Sequence, residues 1–170
     1  MSVKQSMSKV AIEIEEYSEK HAKSIAEHLF EGVPEDVIRG QREELLRPGP
    51  EEVFSVCAVS DSQVVGVCTG VRMRWYGSQH RIEMVQVVVS EEFRGRGVAR
   101  LMMVKIAEHF ASRGIEIIQI SAEARNKIAI AAYEHIGFKR FGTLKDGICH
   151  EGVYSDEILM AIPIENFLNK

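Results

Sequence analysis

Residues 85–102, VQVVVSEEFRGRGVARLM, constrain the fold more than any other part of this chain. An apolar β-type run (Val85, Val87, Val88, Val89) passes through a charged turn into a helix. There Ala99, Met102, Met103, Ile106 and Phe110 recur at helical spacing. Arg94, Gly95, Arg96 and Gly97 stand between strand and helix. Glycines let the backbone approach a ligand closely, and the first N–H groups of a helix have no partner within it. With the helix dipole and two arginines, those donors suit an anion such as a phosphate or pyrophosphate. On this stretch alone, an anion site and an ordinary strand-to-helix junction are equally open. A dinucleotide fingerprint, G-x-G-x-x-G, fits poorly, which leaves an NAD(P)-binding protein as the weakest reading. Gly95 and Gly97 supply its first two glycines, but Arg100 holds the third position and residues 90–94 are too many for that tight turn.

A chain of 170 residues, 45% hydrophobic, is expected to form one domain over 1–170 with a sizeable core. Its formal net charge of −4 is spread along the sequence, which argues against nucleic acid as the main partner and suits a cationic substrate. Cys57, Cys68 and Cys149 are well separated and read as reduced core thiols, with a cytoplasmic location expected. The opening MSVKQSMSKV has no apolar segment of the secretory kind, and no apolar run of membrane-spanning length occurs, so no membrane partner is expected. His21 and His28 lie seven apart, His109 and His135 belong to different elements, and no H-E-x-x-H occurs, so no metal site is expected.

In chain order, Val10, Ile12 and Ile14 alternate with polar residues and predict a strand over 9–15. Ala22, Ile25, Ala26 and Leu29 then mark a helix with one buried stripe and Ser18 as N-cap. A second helix, 35–46, has Pro34 before it and Pro48-Gly49-Pro50 after it; its weak pattern, with Gly40 inside, reads as a mobile connection or lid. Strands follow at 53–59 and 64–75, joined at Asp61-Ser62. The second places Val67, Thr69, Val71, Met73 and Trp75 on one face, with Arg72 and Arg74 on the other, solvated or facing an acidic acceptor. Residues 115–122 read as a buried strand, 126–136 as a short helix closed by Gly137, and 138–143 and 157–164 as two last strands around a polar loop. The order predicts a mixed α/β (α+β) sheet of six to seven strands with helices on both faces.

Two segments carry a resemblance. Arg94-Gly95-Arg96-Gly97-Val98-Ala99 resembles the R/Q-x-x-G-x-G/A loop of the GNAT N-acetyltransferase superfamily. The segment from Asn126 through Ala129 and Tyr133 to Gly137-Phe138 resembles that family's N-x-x-A-x-x-x-Y-x-x-x-G-F run. The resemblance implies the GNAT fold and acetyl-CoA-dependent transfer of an acetyl group to a primary amine, of a small molecule or a protein, by direct attack in a ternary complex. The alternative is a CoA-binding module of the same fold that does not turn over. The resemblance further implies that residues 94–99 hold the pyrophosphate of coenzyme A, and that the helices before residue 47 wall the acceptor site, the other reading of 35–46 being a solvated connection without substrate contacts. Backbone groups of Val87, Val88 and Val89 would pair with the pantetheine arm, and Asn126 would hydrogen-bond the donor, its other reading being a helix N-cap. Tyr133 would touch the cofactor and act as general acid towards the departing sulfur, its ordinary reading being a core tyrosine.

Glu83, on the strand before the valines, matches the place where many members carry a base. A one-residue bulge would send it to the wrong face. His80 is the runner-up base. Glu123 reads as structural, and His150, Tyr154 and Asp156 as loop residues that either border the acceptor or are merely solvated. A homodimer paired at strand edges is left open. The acceptor is not legible.

Overall fold

A computed structural model describes residues 11–170. Among the described residues seven strands form one sheet in the order β1-β2-β3-β4-β5-β7-β6: β1 (Glu13–Glu16), β2 (Val53–Ser60), β3 (Gln63–Arg72), β4 (Arg81–Val89), β5 (Ile117–Glu123), β6 (Lys139–His150) and β7 (Val153–Pro163). Only β4 and β5 run parallel, because α3 (Val98–Ala111) crosses between them. This is the mixed sheet expected from the element order. The first strand is shorter than 9–15, and Lys9 and Val10 lie outside the described residues.

Helices cover the two faces unequally. On one face α3, α4 (Lys127–Ile136) and α5 (Ile164–Leu168) bury Val56, Cys68, Ile82, Met84, Ile118, Ile120 and Met160 against Met102, Ile106, Phe110, Ile130 and Phe167. On the other, α1 (Ala22–His28) and α2 (Glu35–Leu46) cover Cys57, Val64 and Val67 with Ala22, Ile25 and Ile38. That second cover reaches beyond β3 only at Val88 of β4. Strands β2 and β3, roofed on both faces, are buried almost continuously. In β5, by contrast, Ile118, Ile120 and Ala122 are buried while Ile117, Gln119, Ser121 and Glu123 are half-exposed. Residues 115–122 are therefore not a strand buried on both sides. The β4–β5–β7 part of the sheet keeps one bare face.

Other expectations need correction. Strand β3 ends at Arg72, so Trp75 does not share a face with Val67. It stands 80% exposed in the following loop, which Ser78 closes by donating from Oγ to the Trp75 carbonyl at 2.7 Å. Arg72 instead donates to the Gln79 carbonyl (2.8 Å), and Arg74 pairs with Glu52 (3.6 Å). The last two strands extend past the expected polar loop into one long hairpin. Its turn, Glu151-Gly152, has φ of 50° and 80°. His150, Tyr154 and Asp156 are thus strand residues. Cys57 and Cys68 are buried as expected, burial pushing both thiols up to about 12, but Cys149 is exposed on β6. Among the described residues no helix is long and apolar enough to cross a membrane.

Candidate active site

The site begins with a defect in β4. Thr69 pairs with Val85 and Val67 with Val88, so β4 spends one residue more than β3 over the same span. Gln86 takes up the excess at a φ of 52°, a β-bulge. The extra residue inverts the alternation of side chains. Before it, Ile82 and Met84 face α3; after it, Val87 and Val89 do, while Val88 joins the core under α1. A bulge is expected to send Glu83 to the wrong face; because Glu83 precedes this one, between Ile82 and Met84 that face α3, it looks out onto the bare face, beside Val85. Parallel pairing with β5 covers only residues 81–84 against 117–120. Beyond Met84 the two strands part, and the β4 backbone from Val85 to Val89 has no β5 partner. The sheet opens there as a wedge.

At the wide end of the wedge lies the glycine loop. A 3₁₀ turn at Glu91–Phe93 leads to Gly95 (φ 71°) and to Gly97 (φ 79°), which is the N-cap of α3. Both glycines adopt left-handed backbone that a Cβ disfavours, and space around each is open, so the requirement is conformational. Val98 is buried and anchors the first turn, leaving the N–H groups around Gly97–Ala99 without helical acceptors. The arginines are partly structural. Arg94 braces the turn by donating from Nε to the Val89 carbonyl (3.1 Å), and Arg96 lies over the Phe93 ring at 5.2 Å. Arg100 reaches the Lys170 carbonyl (3.0 Å) and belongs to the helix surface.

The wall of the wedge on the α3 side is α4. Asn126 is its N-cap, the Oδ1 accepting from the Ala129 N–H at 3.0 Å, and Gly137 (φ 118°) is its left-handed terminator. Tyr133 is 7% exposed, its ring edge-on to Phe138 with centroids 6.1 Å apart. Burial, with a smaller push from the Cys68 thiol, raises its hydroxyl to about 12. Cys68 is the β3 residue opposite the bulge, so Tyr133 comes up beneath the break in β4.

The bare face carries the polar groups. Glu83 pairs in register with Gln119, and Ser121 donates from Oγ to Glu157 at 2.6 Å. Partial burial, and then the nearby charge of Glu157, hold the Glu83 carboxyl above its ordinary range. The Gln119 Oε1 is buried and has no hydrogen-bond partner among the described residues. Glu123 is committed to Ser155 (2.6 Å) and Arg125, which keep its carboxyl low, as a structural residue should be. His80 precedes β4, five residues from Val85, or roughly 16 Å along the strand. It does not come near the break. Tyr154 is 64% exposed and the Asp156 Oδ1 accepts from the Asp146 N–H (3.0 Å), tying the hairpin together.

Four residues of this region escape a first reading of the sequence. Gln119 and Ser121 are visible only if residues 117–123 are read as alternating, and Glu157 only once β7 is set beside β5. Arg42 is the fourth. It follows Ile38 by one helical turn, and these two are the buried residues of α2, Arg42 being 4% exposed. A charged side chain on the apolar stripe of a weak helix was the available signal.

The sequence model of the Acetyltransferase (GNAT) family matches residues 15–138. The chain belongs to the GNAT family. Among curated relatives, the [ribosomal protein bS18]-alanine N-acetyltransferase of Salmonella typhimurium is 27% identical over 81 residues, 48% of this chain and 55% of that protein. The chain spans about half the length of the curated relatives it matches. Two solved structures share the fold. An N-acetyltransferase from Staphylococcus aureus Mu50 superposes with a TM-score of 0.75 at 17% identity, covering 91% of this chain and 99% of that one. A Salmonella typhimurium protein solved with its cofactor acetyl-CoA gives 0.73 at 16% identity, covering 91% and 94%.

The GNAT wedge of this chain suits coenzyme A on its own geometry. Beyond Met84 the β4 backbone keeps its ladder to β3 but has no strand on its β5 side, where it can accept from and donate to an amide-containing arm, and open space surrounds the left-handed glycines where a diphosphate would sit.

Proposed function

We propose that this chain transfers an acetyl group from acetyl-CoA to a primary amine, by direct attack in a ternary complex. The observation that carries this reading is the break in β4 at Gln86, with Glu83 on the bare face just before it and Tyr133 beneath it on the α3 side. Residues 94–99 hold the diphosphate, the backbone of Val87, Val88 and Val89 lines the pantetheine arm, and Asn126 orders the start of α4 beside it. Bound acetyl-CoA supplies an activated acyl carbon and a thiolate leaving group. Glu83, with its raised pKa, takes the proton of the acceptor ammonium directly or through one water.

Tyr133 holds a proton for the departing sulfur. A phenol held at about 12 by burial keeps its proton up to the point at which the sulfur carries charge. Its role is therefore that of a hydrogen-bond donor to developing negative charge. The acceptor approaches over the bare face of β4–β5–β7, and buried, reduced Cys57 and Cys68 suit a cytoplasmic protein. The test is a free-thiol assay with acetyl-CoA and a broad panel of amines. Acceptor-dependent thiol release is expected. Thermal stabilisation by coenzyme A without release on any amine would replace the enzyme with a binding module.

A further inference from the structure

Among the described residues, Arg42 is a buried cation without a counter-charge. Its Nη1 donates to Ser55 Oγ and Thr69 Oγ1, both at 3.0 Å, and those hydroxyls are themselves 2.8 Å apart. The Tyr17 ring covers it, 5.5 Å from centroid to guanidinium carbon. No carboxylate pairs with it among the described residues, and no hydrogen bond leaves its Nε or Nη2 there. Hydroxyls and a ring face solvate a guanidinium but do not neutralise it, and a buried unpaired charge is costly. Burial accordingly lowers its proton affinity. A residue that only pinned α2 to the sheet would be better as an aliphatic one, since the neighbouring pin, Ile38, is apolar.

The position of this charge is informative. Thr69 pairs with Val85, the first β4 residue beyond the pairing with β5, and Thr69, Val85 and Glu83 share the face on which the acceptor would lie. Glu83 is the diagonal neighbour of Thr69, a separation of roughly 7–8 Å between backbones. An α-amino acid carries both complementary groups on one carbon, an amine for the carboxylate and a carboxylate for the guanidinium. We propose that the acceptor is an amino acid, its amine delivered to Glu83 and its carboxylate received by the free edge of the Arg42 guanidinium. The planar fork of arginine matches a carboxylate in two parallel hydrogen bonds, and the ligand supplies the missing negative charge. Arg42 is thus a specificity residue. This assignment rests on the acetyltransferase reading for its consequence in turnover, and on Arg42 alone for binding.

The test uses the full chain with the twenty L-amino acids, their carboxamides and spermidine as probes. Both thermal-shift binding and thiol release are measured. At least one amino acid is expected to bind and to react with a kcat/KM at least 100-fold above that of its own carboxamide. In Arg42→Gln that preference should collapse below 10-fold through the acceptor KM, with the KM for acetyl-CoA unchanged. Arg42→Lys should be intermediate. Carboxamides or spermidine performing as well as the amino acids in the unmodified protein would overturn the proposal, whether or not the Arg42 variants fold. If no probe turns over, the acetyltransferase reading fails separately. Binding of an amino acid but not of its carboxamide would then still support Arg42, and equal or absent binding of both would refute it.

Discussion

Replacing Tyr133 by Phe removes one oxygen from a site whose energetics can be worked out. The ring keeps its edge-on contact with Phe138, so packing is preserved. Loss of a buried hydroxyl costs at most about 1 kcal/mol, which for a chain of this size moves the melting temperature by no more than about 4 °C. Catalysis should suffer more. A hydrogen bond to a charged group is worth about 1.5–3 kcal/mol, and at 1.36 kcal/mol per decade kcat should fall roughly 10- to 160-fold. The KM for acetyl-CoA should hardly change, since the interaction is made with charge that develops only as the sulfur leaves. The same hydroxyl, raised to about 12, stays protonated across the working range. Tyr133 should therefore produce no alkaline downturn below pH 10, where an ordinary tyrosine would. The assay is steady-state thiol release from pH 6 to 10 on both proteins. Unchanged kcat in Tyr133→Phe, or a loss expressed equally in the KM for acetyl-CoA, would refute the role given to this residue.

Glu83→Gln should lower kcat/KM at neutral pH by roughly 10²- to 10⁴-fold and abolish the acidic limb of the rate profile. That limb lies above the ordinary carboxylate range because burial and then Glu157 raise the Glu83 pKa, so Glu157→Gln should shift it to lower pH. A carboxyl whose folded pKa is raised favours folding below its unfolded value and loses that advantage as pH rises through the folded one. Glu83→Gln should therefore melt higher than the unmodified protein at pH 7, the two converging at pH 3. Gly97→Ala forces a side chain into left-handed backbone at about 1–2 kcal/mol and should raise the KM for acetyl-CoA. Gly70→Ala, whose Cβ would stand 2.5 Å from Ile106 Cγ2, should lower the melting temperature without affecting that KM. Asn126→Ala should cost about 1 kcal/mol of stability through the lost cap, whereas Asn126→Asp keeps the cap and isolates any contact with the donor in the KM for acetyl-CoA.

The parts of the site that are legible in the sequence are those built by local chemistry. Gly95, Gly97 and Gly137 hold left-handed backbone, Asn126 caps a helix, and Tyr133 stands one turn before the helix end; each is decided within a few residues of itself. Helix α2 is likewise delimited by its prolines at 35–46. What fails is set by distant partners. The hairpin of β6 and β7 is exposed along most of β6, so polar residues there carry no strand pattern, and only the ladder shows that it continues to Glu151-Gly152. Trp75 sits in a strand-like run but the ladder stops at Arg72. The side on which Glu83 emerges depends on a bulge three residues later that Gln86 does not announce, glutamine being an unusual residue at positive φ. Arg42 is hidden because its environment is made by β2 and β3.

The central claim is that the broken β4 strand lays a thioester between Tyr133 and Glu83. The most direct measurement is a crystal structure of this protein with a non-reactive acetyl-CoA analogue. The diphosphate should rest on the N–H groups of residues 95–99, the pantetheine arm should pair with the backbone of Val87–Val89, and the Tyr133 hydroxyl should lie within hydrogen-bonding distance of the sulfur. A diphosphate bound elsewhere, or a Tyr133 hydroxyl turned away from the sulfur, would contradict it.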